Sequence, residues 1–264
     1  MQYAEYPCAQ ALSPYLERYW SFTLDAHDPP SVDHVVLPHG GCNITLIESP
    51  FLPAPLVTLQ GPNSAALQLP IRQGVRYRGV RVRAGALRAL LGLTQTVDWP
   101  SQHPQPLRHW QPALAQHWQS ALVQAPDLTA FAQQADISLR GMPRHNPDPV
   151  VQAIVAALDT AAEPASLARL LAAFPVGERQ ARRRFVAEVG LTPKVYARLR
   201  RIRRVCVDLA RESAMPGAEL AACHGYADQA HLARELRAVF GRSSTLLQHY
   251  LRQIQHHNVA EWAE

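Results

Sequence analysis

Hydrophobic and polar positions follow two different periods along this chain. Up to residue 83 they predict short strands separated by turns. Val35-Val36-Leu37 and Ile44-Thr45-Leu46-Ile47 flank Pro38-His39-Gly40-Gly41, and two β-branched runs around a Gly-Gly pair predict a hairpin. Leu56–Leu59 ends at Gly61-Pro62, and Leu67–Ile71 ends near Gly74. From Tyr77 to Arg83 apolar and basic residues alternate, the pattern of a half-buried strand that leaves Arg78, Arg81 and Arg83 at exposed positions. Gly85 precedes a short helix over Ala86–Leu91. The Ala-, Leu- and Gln-rich residues 109–135 read as helices punctuated by Pro112 and Pro126.

The three prolines and one glycine of Arg140–Pro149 mark a domain boundary. We therefore divide the chain into a β-rich domain ending in helices (1–140), a linker (141–149), a helical domain (150–253) and a tail (254–264). Beyond the boundary the period is helical almost throughout. Asp148 caps a helix starting at Pro149 whose apolar face is Val150, Ile154 and Leu158. Ser166–Phe174 is stopped by Pro175, and Glu178–Val189 is closed by Gly190. Thr192-Pro193 opens a long helix to about Ser213, with Thr as N-cap and Pro in the first turn. Val195, Leu199, Ile202, Cys206 and Leu209 form its apolar stripe, and Arg198, Arg200, Arg201, Arg203 and Arg204 occupy much of the rest. Pro216-Gly217 breaks the pattern. Ala218–Cys223, a helix capped by Asp228 and closed by Gly241, and Ser243–Gln253 follow.

Charge separates the two parts. Residues 1–147 hold 10 basic and 9 acidic side chains, whereas Arg169–Arg211 holds 12 basic against 3 acidic. Such a local excess repels itself unless an anion neutralises it, and nucleic-acid phosphate is the usual one. The four cysteines (Cys8, Cys42, Cys206, Cys223) lack metal-type spacing and read as free thiols of a reducing cytoplasm. The first twenty residues lack the basic start and apolar core of a signal peptide, and no run approaches the roughly 18 apolar residues of a membrane helix. The expected location is therefore cytoplasmic, with no membrane partner.

Two segments of the helical part repeat one plan: short helix, tight turn, helix of about three turns. The first runs from Leu167 through Glu178–Phe185, and the second from Leu220 through Asp228–Leu236. This is a helix-turn-helix arrangement, whose second helix enters the major groove. The intervening helix, about 20 residues at roughly 1.5 Å each, spans about 30 Å, close to the roughly 34 Å of one DNA turn.

On ERQxRRRF followed by GLTPKxYxRxxR, and ACHGYADQAHLAREL followed by FG, residues 150–250 resemble the DNA-binding domain of the AraC/XylS family of transcription regulators. The chain departs from the family pattern at Gly177, where a Ser is usual, at Ala181 for Leu, and at Ser244 and Leu247 for the Pro and Tyr of the closing motif. The resemblance implies base reading by Arg179, Gln180, Arg182 and Arg183 in the first unit, and by Gln229, Ala230, His231 and Arg234 in the second. Arg reads guanine and Gln reads adenine with paired hydrogen bonds, while Ala230 offers only a methyl. Arg198, Arg200, Arg201, Arg203 and Arg204 are candidates for phosphate contacts.

YLERYWSF, VVLPHGGCNITL and YRGVRVRAGALRALLG resemble the N-terminal domain often found ahead of such a unit, implying a small, cupin-like β-rich barrel followed by helices. The expected fold class is thus α+β, with an all-α C-terminal domain. A metal cupin would need His-x-His with a nearby Glu. His34, His39, Cys42 and Glu48 cluster without that pattern, so no metal or cofactor is expected. Trp20, Trp99, Trp110 and Trp118 are candidates for a pocket lining or for plain core. The resulting expectation is a non-enzymatic regulator, an activator by resemblance. Its partners would be double-stranded promoter DNA, RNA polymerase, a small-molecule effector and a second copy of itself. Two alternatives stay open: a ligand- or metal-dependent enzyme or repair protein with a DNA-binding tail, and a sensor or dimerisation module with little DNA affinity.

Overall fold

A computed structural model describes residues 1–93, 103–160, 167–211, 215–241 and 243–255. The fold is α+β, with an antiparallel β-rich half followed by a helical half. The described residues form eight strands: β1 (Gln2–Pro7), β2 (Leu16–Thr23), β3 (Ser31–Val36), β4 (Cys42–Glu48), β5 (Leu56–Gln60), β6 (Leu67–Arg72), β7 (Arg76–Val82) and β8 (Gln105–Pro106). They form a six-stranded sheet in the order β1-β2-β7-β4-β5-β8 and a two-stranded sheet of β3 and β6.

The expected hairpin does not form. β3 pairs with β6 (Val32 opposite Ile71) and β4 pairs with β5 and β7, so residues 37–41 cross between two sheets. Two complementary neighbours outcompete the local partner, and the Gly-Gly stretch makes a corner instead of a hairpin turn.

β7 is flanked by β2 and β4, and both of its faces are covered. On one face Tyr19, Ile44, Leu46, Leu59, Val80 and Val82 pack beneath α2 (Pro112–Ser120) and α3 (Leu128–Arg140), which contribute Trp118, Phe131 and Leu139. This burial overturns the exposed positions expected of Arg78 and Arg81. The Arg78 side chain lies inside this core at 1% exposure. It is satisfied by Glu48 (2.9 Å), the carbonyls of Ala125 (2.8 Å) and Leu122 (2.9 Å), and the Phe131 ring. A buried charge survives only with such a full complement of partners. Arg81 points to the opposite face, where Glu5, Glu17 and the Tyr3 hydroxyl surround it. Arg83 alone of the three is exposed.

That opposite face and the two-stranded sheet enclose an apolar chamber of about 150 Å³, walled by Trp20, Phe22, Ile47, Leu69, Ile71 and Tyr77 among others. Of the four candidate tryptophans named above, Trp118 is core, Trp110 packs against its margin, Trp20 lines the chamber, and Trp99 lies outside the described residues. The four metal-type side chains are not brought together. His34 bonds Tyr250, His39 bonds Asn43 and the Gly41 amide, and Glu48 pairs Arg76 and Arg78. Among the described residues no group of three such side chains forms a metal site.

Between the halves run α1 (Leu87–Leu90) and, after α3, the start of α4 (Pro149–Thr160). The helical half continues with α5 (Leu167–Ala172), α6 (Glu178–Val189), α7 (Pro193–Ala210), α8 (Gly217–Cys223), α9 (Gln229–Phe240) and α10 (Ser244–Gln255). Val151, Ile154 and Leu158 of α4 join Phe185, Val189 and Tyr196 in one core; Val150 is only partly buried, so the face is rotated from the expected one. α8, α9 and α10 close a second core on Ile202, Val205, Cys206 and Leu209 of α7. No described helix is long and apolar enough to cross a membrane.

Candidate nucleic-acid interface

The first unit is α5, a turn, and α6; the second is α8, a turn, and α9. Each second helix ends on a left-handed glycine, Gly190 (φ 76°) and Gly241 (φ 66°), as expected. α7 connects the units. Thr192 caps it by accepting from the Val195 amide (3.3 Å), and its 18 residues span about 27 Å. Its buried stripe is Tyr196, Leu199, Ile202, Val205, Cys206 and Leu209, with Val195 only half-buried. The α6 contact is an edge-on packing of Phe185 on Tyr196, with ring centroids 5.6 Å apart. A β-half corner reaches the same ring: a Cβ on Gly40 would fall 2.5 Å from the Tyr196 ring, so only glycine fits there.

On α6, Arg179, Gln180 and Arg183 are exposed, and Arg182 is half-exposed and paired with Glu178 (2.7 Å). Ala181, Phe185 and Val189 face inward, so small Ala181 fills the place of the usual Leu without leaving the core. Arg184 turns away from that face to Asp148 (2.7 Å). On α9, Gln229, Ala230 and Arg234 are exposed, while His231 sits edge-on to Tyr226 at 5.2 Å. The Gln229 side chain lies across Gly217 at the start of α8. Leu247, in place of the usual Tyr, is fully buried against the second core.

The five arginines of α7 are half-buried, each engaged within the protein. Arg198 pairs with Glu235 of α9 (2.8 Å) and Arg200 with Asp159 (2.7 Å). The Arg201 guanidinium stacks over Tyr226 (4.3 Å), and Arg204 donates to the Asp159 carbonyl (3.4 Å). Arg203 points toward the β-rich half, where it lines the chamber's polar end with Arg81. A sequence pattern cannot show the inward turn of Arg203, because its covering surface belongs to strands more than a hundred residues away.

Sequence reasoning also missed the contacts that dock the second unit on the small sheet. The Tyr250 hydroxyl accepts from the Val35 amide (2.7 Å) and bonds His34 Nδ1 (2.8 Å). The Ala66 amide donates to the Val239 carbonyl at the end of α9 (2.8 Å). Burial holds the His34 imidazole down at about pH 4, so it stays neutral beside Tyr250 at neutral pH. The first unit docks through Arg88–Glu188 (2.7 Å) and through Ala84, which joins the Val151 and Val189 core.

Residues 170–262 match a family described as a helix-turn-helix domain, and residues 4–103 match one described as a domain of unknown function (DUF6597). No curated protein matches the chain. Among solved structures, the chain is similar to ToxT from Vibrio cholerae O395 bound to (E)-4-(8-methylnaphthalen-1-yl)but-3-enoic acid. That match has 8% identity and a TM-score of 0.46, over 95% of this chain and 100% of that one. An apo ToxT variant from Vibrio cholerae strain SCE256 is 7% identical with a TM-score of 0.45, over 88% of this chain and 97% of that one.

Proposed function

We propose that this chain, whose C-terminal third is a helix-turn-helix domain of the AraC type, is a sequence-specific DNA-binding regulator that activates transcription. The observation that carries the reading is the face of α6. Arg179, Gln180 and Arg183 stand exposed on a helix whose opposite side is locked by Ala181, Phe185 and Val189. A rigid helix with free guanidinium and carboxamide forks on one side is suited to base edges in a major groove. α9 presents Gln229, Ala230 and Arg234 in the equivalent place, so we assign it to the next groove, with His231 in a supporting role. Arg182 joins the first set once its surface pair with Glu178 opens, an exchange of small free energy.

The phosphate contacts assigned to Arg198, Arg200, Arg201, Arg203 and Arg204 require those side chains to leave their present partners. In this reading the closed arrangement of the halves holds Arg203 back from DNA, while Glu235, Asp159 and Tyr226 of the helical half hold the other four. Residues 1–140 act as sensor and residues 150–253 as reader. The apolar chamber is the candidate effector site, since cavities of about 150 Å³ lined by apolar groups take small aromatic or aliphatic molecules. His34 lies on the chamber wall and on Tyr250, giving a ligand there a direct path to α10. Cytoplasmic location, RNA polymerase as a partner and a second copy of the chain belong to the same reading.

The test is selection of bound duplexes from a random pool, then titration of the selected site with Arg183→Ala. The variant should lose about 1–3 kcal/mol of specific affinity at fixed salt. Wild-type affinity should fall steeply as salt rises. Unchanged affinity of the variant removes α6 as the reading helix.

A further inference from the structure

Where the two halves meet there is a second, polar cleft of about 770 Å³. Its β-side wall carries Arg18 of β2 with Arg81 and Arg83 of β7 and its end. The helical wall carries Arg200, Arg203 and Arg204 of α7, with Arg211 just beyond it. Glu17, Asp159 and Asp208 of the lining, and Glu5 behind Arg18 and Arg81, oppose these seven arginines, an excess of three positive charges. All of these carboxylates are already engaged: Glu5 holds Arg18 and Arg81, and Glu17 holds Arg81. Asp159 holds Arg200 and the Tyr196 hydroxyl, and Asp208 holds Arg211 and His224.

The crowding leaves an electrostatic mark. Burial, then the neighbouring charges of Arg81 and Arg200, pushes the Arg203 guanidinium down to about 10. Burial and Arg200 also lower Arg204. The volume falls in the range of small-molecule sites, about 300–1,000 Å³. We propose that this cleft binds a small polyanion carrying two or more phosphate groups, bridging Arg18 and Arg83 of the strands to the arginines of α7. Guanidinium forks match phosphate oxygens in pairs. Two phosphate groups bring about three to four negative charges at pH 7, which matches the excess, whereas one carboxylate brings a single charge. The site joins both halves, so its ligand stabilises their closed arrangement by binding.

The experiment is calorimetric titration of the full chain with inorganic pyrophosphate at low ionic strength, with orthophosphate as the weaker comparison. We expect one site per chain and an affinity for pyrophosphate at least about tenfold above that for orthophosphate. The double variant Arg18→Gln/Arg83→Gln should lower that affinity about tenfold or more, because both side chains line the cleft. Thermal melts without ligand establish that the variant is folded, and added pyrophosphate should raise the wild-type melting temperature more than the variant's. Arg179→Ala/Arg183→Ala strips the exposed guanidiniums from α6 and should leave pyrophosphate binding intact, so failure of the DNA reading and failure of the cleft are separable. The proposal is overturned by absent binding, by equal affinity for the two anions, or by loss that follows the α6 variant instead of the cleft variant.

Discussion

The two helix-turn-helix units share a plan and differ in how each is held. The first is fixed by apolar packing: Phe185 and Tyr196 meet edge to face, Val189 reaches Ala84, and the docking to the β-rich half adds the Arg88–Glu188 pair. The second packs Val35, Leu37 and Ala66 of the β-rich half into its core and adds hydrogen bonds, with Tyr250 joined to His34 and the Val35 amide, and Ala66 joined to Val239. Their reading faces differ in the same sense. At the positions assigned to base reading, α6 exposes Arg179, Gln180 and Arg183, whereas α9 exposes Arg234, Ala230 and Gln229, the last laid across Gly217. The unit with the stronger DNA chemistry rests on a core that tolerates little motion. The unit with the weaker chemistry is tied to the chamber wall by bonds that a small displacement can exchange. In the regulator reading, the first unit supplies affinity and the second carries the signal.

The largest test of that contrast removes the packing under the first unit. Phe185 is fully buried, so Phe185→Ala should lower stability by about 3–5 kcal/mol in chemical denaturation. A loss below about 1 kcal/mol would show that the site collapses freely and that α6 is not held as rigidly as its packing implies.

Next in size is the docking of the second unit. Tyr250→Phe removes the hydroxyl and leaves the buried Val35 amide without that acceptor, which should lower stability by about 1–3 kcal/mol. The matching change in the first unit, Arg88→Gln, removes one partner of an ion pair whose side chains are 15% and 18% exposed, and the largely buried Glu188 left behind should cost a similar amount, about 1–3 kcal/mol. A loss near zero for either variant, measured in parallel denaturations, would show that its contact does not hold that unit on the β-rich half.

Most of the helical half was legible from sequence because its signals are local. Asp148, Thr192 and Asp228 cap their helices as their positions predict, and Gly190 and Gly241 end theirs. The β-rich half was legible in its strands but not in their pairing. Nothing within Val35–Ile47 tells that β3 prefers β6, and nothing within Tyr77–Arg83 tells that both faces of β7 are covered. The α6 reading face could be anticipated because its exposure depends on its own period. The fate of the α7 arginines could not. Arg200 and Arg204 meet Asp159 only through the packing of α4 against α7, and Arg203 meets Arg81 and Glu17 only once the halves come together.

The smallest effect concerns the caps, where the two units are opposite in kind. Asp228, extended at φ −161°, accepts from the His231 amide at 2.6 Å, and Asp228→Ala should cost about 1 kcal/mol in thermal or chemical unfolding. Gly177 holds the same position ahead of α6 with no side chain to cap it, at φ 70° and ψ 160°. A serine there would gain a cap worth about 1 kcal/mol. It would also have to occupy backbone space open essentially to glycine alone, at a cost of about 1–3 kcal/mol. No atom lies within 4 Å of a Cβ built on Gly177, so the backbone angle decides the outcome, not crowding. Gly177→Ser should therefore leave the protein no more stable than the natural chain, even though it restores the residue usual in the family that the sequence resembles. A higher melting point for the serine variant would mean that this turn reaches an extended cap cheaply, and the first unit would then differ from the second in chemistry alone.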